Sequence, residues 1–228
     1  MSHFGNLERH IPDLRSRRIL DLGSGKGDFL IDAATHGTRA TGIELNRAYI
    51  EEARSKARAA GYDDLEIVAG AGETLPFPDA SFGFVNLSEV IEHVAEPVSV
   101  LRETWRVLVP GGAAYVSVPS RFGLRDPHYH LYFVNWLPRA WADGFVRLFG
   151  KEKHDAGEAG HQRLADMHYY TYRAFTRVAR AAGFSVQDIR ELRIGRALPP
   201  FLRSVALVVY RTLARPAYFD SFHFLLRK

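Results

Sequence analysis

The sequence predicts an α/β protein built on an open, doubly wound, mostly parallel sheet, with a cap inserted late in the chain. Three observations predict it. Residues 17–30, RRILDLGSGKGDFL, run from an apolar strand through glycines at alternate positions into an apolar helix face. Strand-like and helix-like stretches then alternate as far as residue 118, which calls for a parallel sheet covered on both faces. From residue 120 the alternation stops, and 120–170 is rich in aromatics and histidine without a clean period. That is too long for a simple connection.

In chain order, residues 1–16 read as a lead-in, helical over 6–10 and ended by Pro12. The first strand is expected over 18–22 and its helix over 27–36. The second strand spans 39–45. A helix follows over 46–60, rich in good helix formers and stopped by Gly61. The third strand is 65–69 and the fourth 82–87, with a Leu-Pro-Phe-Pro turn between them. Residues 98–108 read as a helix with Leu101, Trp105 and Leu108 on one stripe. Pro110-Gly111-Gly112 breaks it before the fifth strand at 113–118. After the cap, 171–182 is a helix stopped by Gly183, and 184–189 the sixth strand. Residues 198–213 form an apolar, Arg-flanked helix, and 221–226 the last strand, which makes seven.

The chain has 228 residues, of which 46% are hydrophobic, so one domain with a substantial core is expected. It has no cysteine, which excludes disulfides and thiolate metal sites. The N-terminus is polar, not a secretory signal, and no apolar run is long enough to span a membrane. A cytoplasmic location is expected. A net charge of +4 is an ordinary solvated surface, or a mild attraction to an anionic partner such as a membrane.

The glycine turn is the first chemical feature. Gly23, Gly25 and Gly27 let the backbone bend and approach a ligand without a Cβ in the way. The spacing G-x-G-x-G differs from the dinucleotide fingerprint G-x-G-x-x-G, whose third glycine is Asp28 here, and no Ser/Thr follows Lys26 as a phosphate loop requires. Asp21, just before the turn, suits a cationic or hydroxyl-bearing ligand better than a pyrophosphate. Glu44 closes the second strand one βαβ unit later, where an acid can accept both hydrogen bonds of a ribose diol. Residues 70–77 and 86–94 complete the rim of one cleft, with Ser88, Glu89 and His93 near it.

These segments, in order, are ILDLGSGKGDFL, GIELN, LPFPDASFGFV, SEVIEHV, LRETWRVLVPGG and YVSVPS. Over about residues 17–120 they resemble class I S-adenosylmethionine-dependent methyltransferases of the small-molecule type. A weaker match, HYYTYRAFTRVARAAGF, covers 168–184. The resemblance implies a Rossmann-like seven-stranded sheet with its last strand antiparallel. It implies S-adenosylmethionine as cofactor and S-adenosylhomocysteine as product. Asp21, Gly23, Ser24, Gly25 and Gly27 would hold the methionine end. Glu44 would bind the ribose hydroxyls and Leu45 would pack on the adenine, which Ala71, Gly72 and Glu73 would line. Ser88 would sit beside the sulfonium, with His93 after the fourth strand. Two positions depart from the family. Ala71 stands where an acid usually bonds the adenine amine. Gly83 replaces the usual Asp of a Phe-Asp pair and is expected to loosen its strand.

Methyl transfer needs alignment of acceptor and methyl group, and a hydroxyl acceptor also needs a base. Candidate bases lie in the cap: His128 and His130 first, then His168, with Asp126, Tyr129, His161, Tyr169 and Tyr170 nearby. They read equally as packing residues. A metal on Asp126, His128 and His130 would want a clearer third ligand, and no metal is assigned. The acceptor is expected to be a small or lipid-like molecule, with oxygen slightly preferred over nitrogen or carbon as the methylated atom. The segment 192–218 alternates apolar clusters with arginines and reads as a helix packed on the sheet, a dimer surface or a peripheral membrane contact. Nucleic acid is not expected as a partner. The rival functions are a cofactor-binding protein without catalysis and, against the glycine spacing, a nicotinamide-dependent oxidoreductase.

Overall fold

The computed structural model describes residues 2–149, 163–217 and 219–228. The predicted candidate His161 lies outside them. The seven strands are β1 (Ile19–Leu22), β2 (Ala40–Glu44), β3 (Glu66–Ala69), β4 (Phe82–Leu87), β5 (Leu108–Pro119), β6 (Ser185–Asp188) and β7 (Ser221–Arg227). They form one sheet in the order β3-β2-β1-β4-β5-β7-β6. Strands β1 to β5 pair in parallel; β7 runs antiparallel to both its neighbours. The order reverses between β1 and β4, and the crevice beyond the C-terminal ends there is where such sheets take ligands.

Both faces of the sheet are buried, so β1 is apolar without alternation apart from Asp21. On one face Leu20, Val85, Val116 and Phe224 pack against α4 (Pro97–Val107) and α6 (Tyr172–Ala181). On the other, Ile19, Phe84 and Tyr115 meet α1 (His3–Glu8), α2 (Asp28–Thr35) and α3 (Arg47–Ala59). The caps are local chemistry. Asn46 Oδ1 accepts from the Ala48 N–H, and Thr171 Oγ1 from that of Ala174.

Several boundaries differ from the sequence expectation. Helix α1 begins at His3, because Ser2 caps it. Strand β5 begins at Leu108 and absorbs Pro110-Gly111-Gly112. The register shifts there, with Phe82 paired to Leu108 and Phe84 to Ala113. Gly83 sits at that shift. The Arg17 side chain packs over it, and its Nη1 donates to the Gly83 carbonyl at 2.9 Å. The helix expected over 198–213 is broken. Asp188 caps an earlier helix, α7 (Ile189–Ala197), and the Pro199-Pro200 pair starts α8 (Pro200–Val209). A π-turn (Tyr210–Ala214) leads into α9 (Arg215–Ala217).

Within 120–170 a regular helix does occur, α5 (Arg139–Phe149), amphipathic and flanked by short 3₁₀ turns at Val134–Trp136 and Leu164–Asp166. Val134, Ala142, Leu164, Met167 and Tyr169 form a small core of their own. Its two ends return to the sheet together: the Arg121 N–H donates to the Tyr170 carbonyl at 2.8 Å and the Tyr170 N–H to that of Pro119 at 3.1 Å.

Candidate functional site

The glycine turn is clasped from below. The Gly23 and Ser24 N–H groups both donate to the Ile43 carbonyl, at 2.8 and 3.0 Å. Glu44 holds its side: Oε2 accepts the Gly25 N–H at 2.9 Å and Oε1 the Asn46 N–H at 2.8 Å. A carboxylate has about four lone-pair positions, so two remain for a ligand's hydroxyls. Gly23 and Gly25 both have φ in the left-handed region, at +70° and +50°. A Cβ on Gly23 would sit 2.6 Å from Val90 Cγ2, whereas one on Gly25 would meet nothing within 4 Å. Gly25 is therefore the open floor of the cleft. Ser24 is buried beneath it.

The rim follows at the neighbouring strand ends. Leu45 is 72% exposed beside Glu44, an apolar surface facing water. The Gly70 N–H donates to the Glu44 carbonyl at 3.0 Å and ties the loop holding Ala71, Gly72 and Glu73 to the same edge. Glu73 points its Oε1 at the Ala95 N–H, 3.0 Å away at the approach to α4. A small ligand with hydroxyls, a flat apolar group and a positive charge fits this set: two acids, an open glycine floor and an exposed leucine.

Asp21 is fully buried at the end of β1. Its burial pushes the carboxyl up to about 7, against a hydrogen bond from Asn86 that lowers it, with the Glu44 and Asp28 charges adding to the rise. Asn86 Nδ2 donates to Asp21 Oδ1 at 2.7 Å, and the Asn86 side-chain Oδ1 accepts from His3 Nε2 at 3.0 Å. Helix α1 thus reaches the site through His3, a contact for which the sequence carried no signal.

Beyond Ser88 the chain turns under the cap. Glu89 adopts φ +56°, a left-handed conformation unusual for glutamate, held by its N–H donating to Ser117 Oγ at 2.7 Å. A cavity of about 60 Å³ opens there, lined by Ser88, Glu89, Glu92, Ser117, His128 and His223, among others. His223 shares a 2.7 Å hydrogen bond with the Tyr115 hydroxyl. Burial, with Arg190 and Arg193 nearby, pulls this imidazole down to about 4, so it is neutral at pH 7. A larger, more open groove of about 490 Å³ adjoins, shared through Pro127, Ser221 and His223.

Of the three predicted bases, only His128 lines the cavity. Residues 126–130 form a turn, not the strand that would have put both histidines on one face. Asp126 organises it: Oδ1 accepts the His128 and Tyr129 N–H groups at 2.9 and 2.7 Å, and Oδ2 the Tyr169 hydroxyl at 2.8 Å. Its oxygens are committed, and it is no metal ligand for His128 and His130. His130, at φ +57°, is exposed. His168 uses its N–H, donating to the Glu92 carbonyl at 2.9 Å, and lines neither cavity. His93 faces the His128 ring at 5.1 Å, on the cap side of the cleft. Sequence reasoning missed Glu92 and His223. The first lay within a quoted motif; the second is an inconspicuous position of the last strand.

A family model described as a methyltransferase domain matches residues 20–116. A demethylmenaquinone methyltransferase of Chlorobaculum tepidum is 33% identical over 128 residues, covering 55% of this chain and 51% of that protein. A 27-O-demethylrifamycin SV methyltransferase of Amycolatopsis mediterranei is 37% identical over 113 residues, covering 47% and 42%. The chain spans about half the length of the curated relatives it matches. A crystal structure of an S-adenosylmethionine-dependent methyltransferase from Mesorhizobium loti shares the fold over 99% of this chain and 97% of its own, with a TM-score of 0.62 at 19% identity. The sheet order and the cleft at its switch point agree with the methyltransferase-domain match over residues 20–116, and the fold is that of the S-adenosylmethionine-dependent methyltransferase structures it resembles.

Proposed function

We propose that this chain transfers the methyl group of S-adenosylmethionine to a small-molecule acceptor bound under the cap, with oxygen as the preferred atom. The observation that carries the reading is that two spaces open at the same end of the sheet. The Gly25–Glu44 cradle lies at the C-terminal ends of β1 and β2; the His128-lined cavity, with Ser88 in its wall, lies at the C-terminal ends of β4 and β5 and the start of β7. The relatives named for demethylmenaquinone and for 27-O-demethylrifamycin support an acceptor of this class.

In this reading Glu44 takes the ribose hydroxyls, Leu45 covers the adenine and Asp21 answers the positive charge of the methionine end. The protein's main contribution is alignment. The acceptor O–H gives up its proton to water in the cavity that Glu92 and His128 line. An oxygen lone pair then attacks the methyl carbon in line. The C–S bond breaks with its electrons passing to sulfur, leaving the neutral thioether of S-adenosylhomocysteine. The non-catalytic alternative keeps the cradle without this step. Radiolabelled methyl transfer across quinol, phenol and amine acceptors decides between them: label in an O-methyl product is expected, and none in any product overturns the reading. His128→Ala should lower turnover about 10²-fold with S-adenosylhomocysteine affinity unchanged, while His130→Ala keeps turnover.

Gly25→Ala separates the cradle from the fold. Nothing lies where the new methyl would go, so the cost to folding is the positive φ alone, about 1–2 kcal/mol. Calorimetry should nonetheless show S-adenosylhomocysteine affinity falling at least about tenfold, because the methyl occupies the ligand's floor.

The raised Asp21 pKa gives the site a pH dependence. With the cradle free, Asp21 is protonated below about 7. The ammonium of S-adenosylhomocysteine favours the carboxylate, so the bound pKa is lower, and between the two values binding releases a proton. Affinity should therefore rise with pH from about 5 to 7, at most about tenfold per unit, and level off above 7. Asp21→Asn should flatten the profile, and calorimetry in buffers of different ionisation enthalpy should lose the proton release.

A lipid-like acceptor is favoured by α8. Phe201, Val205 and Val208, at 74%, 62% and 60% exposure, recur at helical spacing, with Arg203 and Arg211 close by. Among the described residues no helix is long and apolar enough to cross a membrane. Co-sedimentation with anionic vesicles should exceed that with neutral ones, and Val205→Glu should abolish it.

A further inference from the structure

The turn after β4 contains a group that the cofactor cradle does not use. The Glu92 side chain is 1% exposed, and among the described residues neither of its carboxylate oxygens has a hydrogen-bond donor. A carboxylate taken out of water without a donor costs several kcal/mol unless a cation answers it. The groups that face it are two imidazoles. His128 Nε2 stands 3.5 Å from Glu92 Oε1, too far for a good hydrogen bond, and this nitrogen is itself buried without a hydrogen-bond partner among the described residues. His93 Nε2 stands 4.0 Å from the same oxygen. All three donor atoms lie within 4.8 Å of one another.

We infer that Glu92, His93 and His128 hold a divalent cation of the zinc type. One carboxylate and two imidazoles are the donor set of an open zinc site, in which a fourth position is left to water or substrate. Donors bound to zinc at about 2.0–2.1 Å in a tetrahedron lie about 3.3 Å apart. The Glu92–His128 separation is already close to that, and His93, exposed on one side, has its Nε2 4.0 Å from the same Glu92 oxygen. The fourth position would face the 60 Å³ cavity, which is large enough to hold water. The supports are rigid. The Glu92 carbonyl accepts the His168 N–H, the His93 N–H donates to the Val90 carbonyl at 2.9 Å, and Asp126 fixes the backbone of His128. The ion would therefore clip the cap to the turn after β4.

The catalytic consequence rests on the methyltransferase reading. An acceptor hydroxyl bound at the fourth position would lose its proton more easily, the proton leaving to cavity water while the oxygen stays on the ion. The site itself does not depend on that reading.

The test uses untagged full-length protein stripped with a chelator, then titrated with Zn²⁺ and with Co²⁺ as a visible probe. The expected result is one equivalent of metal with Kd below about 1 μM, d–d absorption for Co²⁺, and a higher Tm with metal bound. Glu92→Gln and His93→Ala should each weaken metal binding at least about tenfold while S-adenosylhomocysteine binding is retained. The exposed His93 keeps the test valid if the buried Glu92 variant fails to fold. His130→Ala, in the same cap but outside the cluster, should bind metal as the parent does. Absence of stoichiometric metal, or equal affinity in the parent and His93→Ala, overturns the proposal. Metal binding without methyl transfer to any acceptor overturns the methyltransferase reading and leaves the metal site standing.

Discussion

Glu44 registers four pieces of chain against one another. Its carboxylate takes the Gly25 N–H from the turn after β1 and the Asn46 N–H at the start of α3. Its carbonyl takes the Gly70 N–H from the loop after β3. Hydrogen bonds to a charged group are worth about 1.5–3 kcal/mol each, and here they also fix geometry. The side chain has to reach sideways across a strand spacing, which aspartate, one methylene shorter, would not do from the same Cα. The residue expected to bind the ribose is thus the one that holds the glycine turn in place. Removing it would disorganise the cradle before any ligand contact was lost.

The second constraint is charge. Asp21 is buried, and Glu44 and Asp28 add negative potential to it. With the cradle free the cheapest answer is a proton, which the raised pKa provides near neutrality. A ligand with its own positive charge offers a better one, because it brings a counter-ion into a region that water reaches poorly. Asn86 is suited to both states: its amide donates to Asp21, while its side-chain Oδ1 is anchored by His3 from α1.

The sheet, its helices and the cleft were legible in the sequence, because buried parallel strands and glycine turns leave strong local signals. The misses share one physical cause. The break at Pro199 lay inside an apolar run that looked continuous, and α5 carries large apolar residues, Trp141, Leu148 and Phe149, that face outward and so look unlike a buried stripe. His128 and His130 could not be separated by sequence. Two residues apart, they would share a face in a strand, and only the Asp126-centred turn sends one into the cavity and the other to solvent. Glu92 and His223 depended on partners 36 and 108 residues away in the chain, at His128 and Tyr115. Such pairings follow from packing, which no local pattern encodes.

The cap and the cradle are consequently under separate control. The family match ends at residue 116, before the cap begins, and the cradle is complete within it. What lies under the cap is set by Asp126, whose two oxygens bind the turn carrying His128 on one side and Tyr169 on the other. Burial and the Asp126 charge push the Tyr169 hydroxyl's pKa upward, so it remains a donor at any ordinary pH. The knot therefore persists whatever fills the cavity. None of the hydrogen bonds of this knot involves a residue of the cradle. The lining under the cap can then change while the cradle stays fixed, provided that His128 continues to meet Glu92 across the cavity wall.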